Sequence, residues 1–165
     1  MLNNVKKEIE LYEPMRVWLQ KYLEDKYKGW RITTIDSHAR TLDSFLEEQG
    51  VISHYPQTVG LDIQIDVLGI MRRADKANIA FIEAKKTPLN LHDLGQLWAY
   101  CKLCDPLEAF LLSSKNLGSL SKILKNLSRV DLLEFGDGKT IKKMRVGKWD
   151  VLQNSVDFKT LIPKM

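Results

Sequence analysis

Asp66 and the tripeptide Glu83-Ala84-Lys85 are the residues of this chain best suited to do chemistry. The two acids offer hard oxygen donors, and a lysine two positions after the second adds a fixed positive charge. Side by side, they would hold a divalent cation and stabilise negative charge developing on a phosphoryl group. Such an ion polarises a phosphoryl oxygen and lowers the pKa of a bound water. The reaction implied is hydrolysis of a phosphodiester.

These positions converge only if the segments carrying them pair. Residues 61–70 and 78–85 read as two strands joined by a polar turn at 72–76. Side chains alternate along a strand, so Asp62, Gln64, Asp66, Leu68 and Ile70 share one face, and Ile79, Phe81, Glu83 and Lys85 another. With the turn centred between Ala74 and Asp75, Ile70 meets Ile79, Leu68 meets Phe81, Asp66 meets Glu83 and Gln64 meets Lys85. On the opposite side Val67 meets Ile82 and Ile65 meets Ala84. Apolar faces apolar and polar faces polar at every rung, the condition that sets hairpin register. Opposed carboxylates repel, so Lys85 or a divalent ion has to compensate them. Residues 79–84 are apolar apart from Glu83, so this acid closes a strand buried on both faces, and a buried carboxylate needs a partner.

Beyond Thr87-Pro88, the run Asn90-Leu91-His92-Asp93 is a helix start, with Asn90 as N-cap and Asp93 near the positive end of the dipole. The helix continues through Leu103 and stops before Asp105-Pro106. Gln96 and Tyr100 are four apart and project from one face of it.

Together these residues resemble the PD-(D/E)XK, or restriction-endonuclease-like, nuclease superfamily. The resemblance implies an α/β fold with an αβββαβ core, a mixed sheet flanked by helices, and a C-terminal β-hairpin extension. It also implies Mg2+, with Mn2+ able to substitute, bound by Asp66 and Glu83, with the Ala84 carbonyl completing the shell. Lys85 would position the attacking water or stabilise the transition state. Ile65 stands where the family motif has proline. The Gln96–Tyr100 spacing is similar to that of the RecB-type and lambda-exonuclease-like branch, where the pair supports the active site or contacts substrate. That core often adds an acid from its first helix; Glu10 and Glu13 are the candidates and Glu10 the favoured one. The activity implied is a DNA endonuclease, restriction-like or structure-specific in the manner of a Holliday-junction resolvase, acting as a homodimer. The competing class is a non-catalytic nucleic-acid-binding or assembly protein that keeps the fold; intact Asp66, Glu83 and Lys85 argue against it.

The remaining pattern supplies a frame for that core. An opening helix runs from Val5 or Tyr12 to Tyr27, a strand spans 30–35, and an inserted helix spans 37–49, capped by Asp36. A further strand at 107–113 completes a core of about residues 8–114. A basic extension follows at about 115–165, with a helix at 119–127 and a hairpin of 130–135 with 140–146. The whole, 1–165, reads as a single nuclease domain.

At 44% hydrophobic residues the chain is not disordered in composition. No apolar run approaches the ~20 residues of a membrane span, and the start is no signal peptide, so a cytoplasmic protein is expected. Net charge is +4, and residues 115–148 alone carry nine basic against three acidic side chains. A basic face beside an acidic centre suits a polyanion, so Lys122, Lys125, Lys142 and Lys143 are expected to contact DNA, with Arg72 and Arg73 at the hairpin turn. Cys101 and Cys104 are too few for zinc or an iron–sulfur cluster and read as core thiols.

Overall fold

Leu11, Met15, Leu19 and Leu23 recur at helical spacing, and the helix they specify, α1 (Tyr12–Lys26), buries that stripe completely. The computed structural model describes residues 5–165. After α1 come β1 (Arg31–Asp36), the short α2 (Leu42–Glu48), and the hairpin of β2 (Val67–Arg73) with β3 (Lys76–Lys85). Next are α3 (Leu91–Cys104), β4 (Glu108–Ser113), and α4 (Gly118–Ser121), which runs on into a wider π turn (Lys122–Asn126). The small ladder of β5 (Glu134–Gly136) and β6 (Ile141–Lys143) precedes β7 (Arg145–Asp150) and β8 (Ser155–Ile162).

The architecture is mixed α/β. One six-stranded sheet has the order β1-β2-β3-β4-β7-β8. Its β3–β4 and β4–β7 pairs are parallel and the others antiparallel. Helix α1 covers one face, packing on Val67, Ala80, Ile82, Phe110 and Leu112. Helices α2, α3 and α4 cover the other, over Leu68, Ile70, Ile79, Phe81 and Leu111. Because both faces are covered, the central strands must be apolar on both, and β4 is buried along its entire length. Gly69 permits the close approach of α1: a Cβ there would lie 2.8 Å from Leu23 Cδ1.

The β2–β3 register is the expected one, with Val67 opposite Ile82, Leu68 opposite Phe81 and Ile70 opposite Ile79. Four expectations need correction. The strand begins at Val67, and residues 61–66 form no ladder with β3, so the Gln64–Lys85 and Ile65–Ala84 rungs do not exist. The inserted helix is shorter than 37–49, because Asp36 ends β1 and the helix starts only after Thr41. Val130–Leu133 is a 3-10 turn rather than a strand. Residues 145–150 leave the small hairpin and join the main sheet beside β4.

Helix α3 starts where its cap signal lies. The Asn90 side chain accepts the Asp93 N–H at 2.9 Å, and the Asp93 carboxylate accepts the Asn90 N–H at 3.1 Å. Asn90→Ala is expected to destabilise the fold by about 1 kcal/mol, read as a fall of a few degrees in Tm. An unchanged Tm would show that Asp93 is held by something other than this box. Among the described residues no helix is long and apolar enough to cross a membrane.

Candidate active site

The hairpin brings Asp66 and Glu83 together, but not as a ladder rung. Ser37, itself buried, follows β1 and draws the neighbouring chain to itself. Its N–H donates to the Asp66 carbonyl at 3.0 Å and its hydroxyl donates to the Ile65 carbonyl. This lifts residues 65–66 off β3, and Ile65 enters the same apolar cluster as Leu68 rather than alternating to the opposite face. The Asp66 N–H has then lost its place in the sheet, and a buried amide must find another acceptor. It finds Glu83 Oε1 at 3.2 Å, while the Ala84 N–H donates to Asp66 Oδ2 at 2.8 Å. Each acid thus binds the backbone beside the other, and two carboxylates are fixed where strand pairing stops.

Burial governs their protonation. Glu83 is 6% exposed. Desolvation first, and then the Asp66 charge, push its carboxyl well above its ordinary value. Asp66 is raised as well, by desolvation, with Glu8 adding to the shift and the Ala84 amide and Lys85 opposing it. Glu83, the more strongly raised of the two, is therefore the member of the pair that burial biases most toward its protonated form.

This has a consequence for stability. A carboxyl whose folded pKa is raised contributes stability that is present below its unfolded pKa and lost as pH rises through the folded pKa. The metal-free protein should lose stability from about the ordinary glutamate range upward. Glu83→Gln removes that loss while keeping an acceptor for the Asp66 N–H. In EDTA, its Tm should exceed that of the wild type by a few degrees at pH 8, with a smaller gap at pH 5. A gap independent of pH would contradict the assignment of the proton to Glu83.

Lys85 follows on the same face of β3 and its side chain is 23% exposed. Its ammonium lies 4.0 Å from Asp93, whose own position is set by the α3 capping box. Asp93, Gln96 and Tyr100 share one face of α3 by spacing. Gln96 donates to the Tyr100 hydroxyl at 3.4 Å, so the structure does join this pair, on the face that carries the partner of Lys85.

Glu10 is occupied elsewhere. Its carboxylate accepts the N–H groups of Lys6 and Lys7 at 2.9 and 2.6 Å, capping the 3-10 turn Glu8–Leu11. Those amides hold its carboxyl below the usual range. The first-turn acid that bears on the site is Glu8. It accepts the Tyr12 hydroxyl at 3.3 Å, and its charge acts on Asp66. Tyr12 stands between them, its phenol pushed up by burial and then by the Asp66 and Glu8 charges. Glu8 was missed, although its four-residue spacing to Tyr12 and the reach of an acid at the third helical position back to its cap were both readable. Glu13 pairs with Arg16 at 2.7 Å.

The expected DNA contacts divide. Arg72 donates to the Gln49 carbonyl and, at 2.9 Å, to the Gln49 side chain. Arg73 lies 4.6 Å over the Trp30 ring. Both sit at the hairpin turn, and Ala77, opposite Arg72, is six residues and about 20 Å along β3 from Glu83. Lys142 pairs with Asp105 at 2.7 Å beside the start of β4, and Lys143 lies 4.0 Å from Glu134. These four therefore serve packing and ion pairs rather than flanking the acids. Lys122 and Lys125 are exposed on the π turn after α4. Cys101 and Cys104 are buried thiols, as expected; burial raises both, Cys104 to about 12.

Among the described residues no group of three or more His, Cys, Asp or Glu side chains is arranged to hold a metal ion alone. What the site offers is the buried Glu83 carboxylate, the partly buried Asp66 carboxylate and the Ala84 carbonyl. An all-oxygen set of this kind fits a hard cation that keeps part of its hydration shell. No protein-family model, curated protein or solved structure matches the chain.

Proposed function

We propose that this chain is a Mg2+-dependent nuclease of the PD-(D/E)XK type that cleaves DNA internally. The observation that carries the proposal is the reciprocal pairing of Asp66 and Glu83 with Lys85 beside it, at the point where β2 and β3 separate. A buried acid whose carboxyl is raised by desolvation and by the neighbouring Asp66 charge lowers the stability of the resting protein, an arrangement suited to a site that binds a cation. The order of elements supports the same reading: α1, then antiparallel β1, β2 and β3, then α3, then β4 parallel to β3. That order agrees with the αβββαβ core expected of a restriction-endonuclease-like nuclease, with α2 inserted. Restriction-like and structure-specific cleavage are both compatible with it, and a homodimer is part of the proposal because cutting two strands calls for two such centres.

Asp66, Glu83 and the Ala84 carbonyl would hold Mg2+ or Mn2+, which supplies polarisation of a phosphoryl oxygen. The other roles belong to the chain itself. Lys85, aligned by Asp93, places a positive charge where charge develops on the phosphorus oxygens, and its ammonium can orient the attacking water. Tyr12, hydrogen-bonded to Glu8, lies beside Asp66 on the α1 side. Gln96 and Tyr100 support the site from α3.

Titration with Mn2+ tests the proposal. The wild type should bind, with affinity rising with pH as Glu83 gives up its proton. Asp66→Asn and Glu83→Gln should each weaken binding at least tenfold. Equal affinity in all three proteins would sink the metal assignment.

A further inference from the structure

The basic residues around the sheet differ in whether an acid is matched to them. At the end of the sheet where β4 begins, Lys26 and Arg145 share the Glu108 carboxylate, Lys142 holds Asp105, and Lys143 lies by Glu134. At the other end, where β3 finishes with Glu83 and Lys85, the cations are Lys115 just past β4, Lys148 on β7, Lys159 on β8 and Lys125 on the π turn. None of these four has a carboxylate within 4.0 Å among the described residues. Two acids do lie near Lys148, but they are turned to backbone: Asp150 accepts the Leu152 and Gln153 N–H groups, and Asp157 accepts the Lys159 N–H. Ammonium groups without ion-pair partners along the rim next to the two acids favour a polyanion there.

The register lines them up. Lys85 is opposite Ser113, Ser113 opposite Lys148, and Lys148 opposite Asp157, two residues before Lys159. Three strand spacings separate β3 from β8, about 14 Å. One strand of duplex DNA advances about 3.4 Å of helix axis per phosphate, so the rim spans the axial rise of about four base steps. At its far end, Lys125 and Lys159 both line a cleft of about 390 Å³, together with Ser121, Asn116 and Gly118.

We propose that the rim formed by Lys115, Lys148, Lys125 and Lys159 is the track that holds the DNA backbone leading away from the scissile phosphate, with Lys125 and Lys159 clamping one phosphate in this cleft. The inference rests on the reading of Asp66 and Glu83 as the cleavage centre. It replaces the basic hairpin and the arginine turn as the substrate-binding face.

The test is binding of a fluorescent DNA duplex, followed by anisotropy in EDTA over a range of salt, so that it does not depend on whether the chain cuts. Lys125→Glu/Lys159→Glu should weaken binding at least tenfold at low salt and lower the slope of log K against log salt by about one. Lys76→Glu/Lys139→Glu makes the same charge change at two other exposed lysines, outside the track, and should stay within twofold of wild type. Equal losses in the two double variants, or no loss in the first, would overturn the track. So would binding of the wild type to phosphatidylserine vesicles but not to the duplex. Wild-type binding that fails only in the first variant, in a protein that never cleaves, supports the track and removes the nuclease reading alone.

Discussion

Lys85→Ala is expected to lower Mg2+-dependent DNA cleavage by about 100- to 1,000-fold, the usual effect of removing one preorganised group that stabilises transition-state charge. Lys85 is a partly exposed ammonium near Asp93 and is not among the metal-holding groups. Its removal should leave Mn2+ affinity unchanged or slightly raised, since a nearby positive charge opposes cation binding. Asp66→Asn should behave differently, losing affinity and rate together. Single-turnover cleavage at saturating metal separates the two cases. A Lys85→Ala protein that cuts at the wild-type rate once metal is saturating would remove Lys85 from the chemistry.

The second large effect lies at the opposite end of the sheet and concerns stability. The Glu108 side chain is only 2% exposed and accepts hydrogen bonds from Tyr22 at 3.1 Å, Lys26 at 2.6 Å, Arg145 at 3.1 Å, and Tyr27. Arg145 already has a buried Nε with no partner, so this carboxylate is what offsets its charge. Glu108→Ala leaves a mostly buried guanidinium without a counter-ion, which costs about 3 kcal/mol or more. Lys26 is 40% exposed and can turn to water, which keeps the loss at the lower end of the usual range for such pairs. In a domain of this length the drop in Tm should be about 6–12 °C. Replacing Glu108 and Arg145 together with leucine and methionine should recover much of it. A melt of Glu108→Ala within a degree of wild type would show that the cluster is decoration.

The parts of this molecule readable from its sequence are those set by near neighbours. Leu68 facing Phe81 and Ile70 facing Ile79 follow from alternation about a short turn, and Asn90 with Asp93 announces α3 locally. The point where β2 starts was hidden because Asp62, Gln64 and Asp66 alternate as a strand would. The residue that breaks the pattern is Ser37, 28 positions from the Ile65 carbonyl it captures. Glu10 looked like a site acid because of its place near a helix start, but that place also suits a cap. β7 and β8 were unreadable for another reason: they pair with a strand far back in the chain and with each other through a bulge, so no short-range turn reports them.

Asp66, Glu83 and Lys85 are proposed to form a metal-dependent phosphodiester-cleaving centre. Its most direct test is nicking of supercoiled plasmid by the purified chain in Mg2+, with EDTA and the Glu83→Gln protein run alongside. Conversion to nicked and linear DNA is expected from the wild type in Mg2+ or Mn2+ only, and none from Glu83→Gln. Plasmid left intact by the wild type in either metal, or nicked equally by Glu83→Gln, would contradict it.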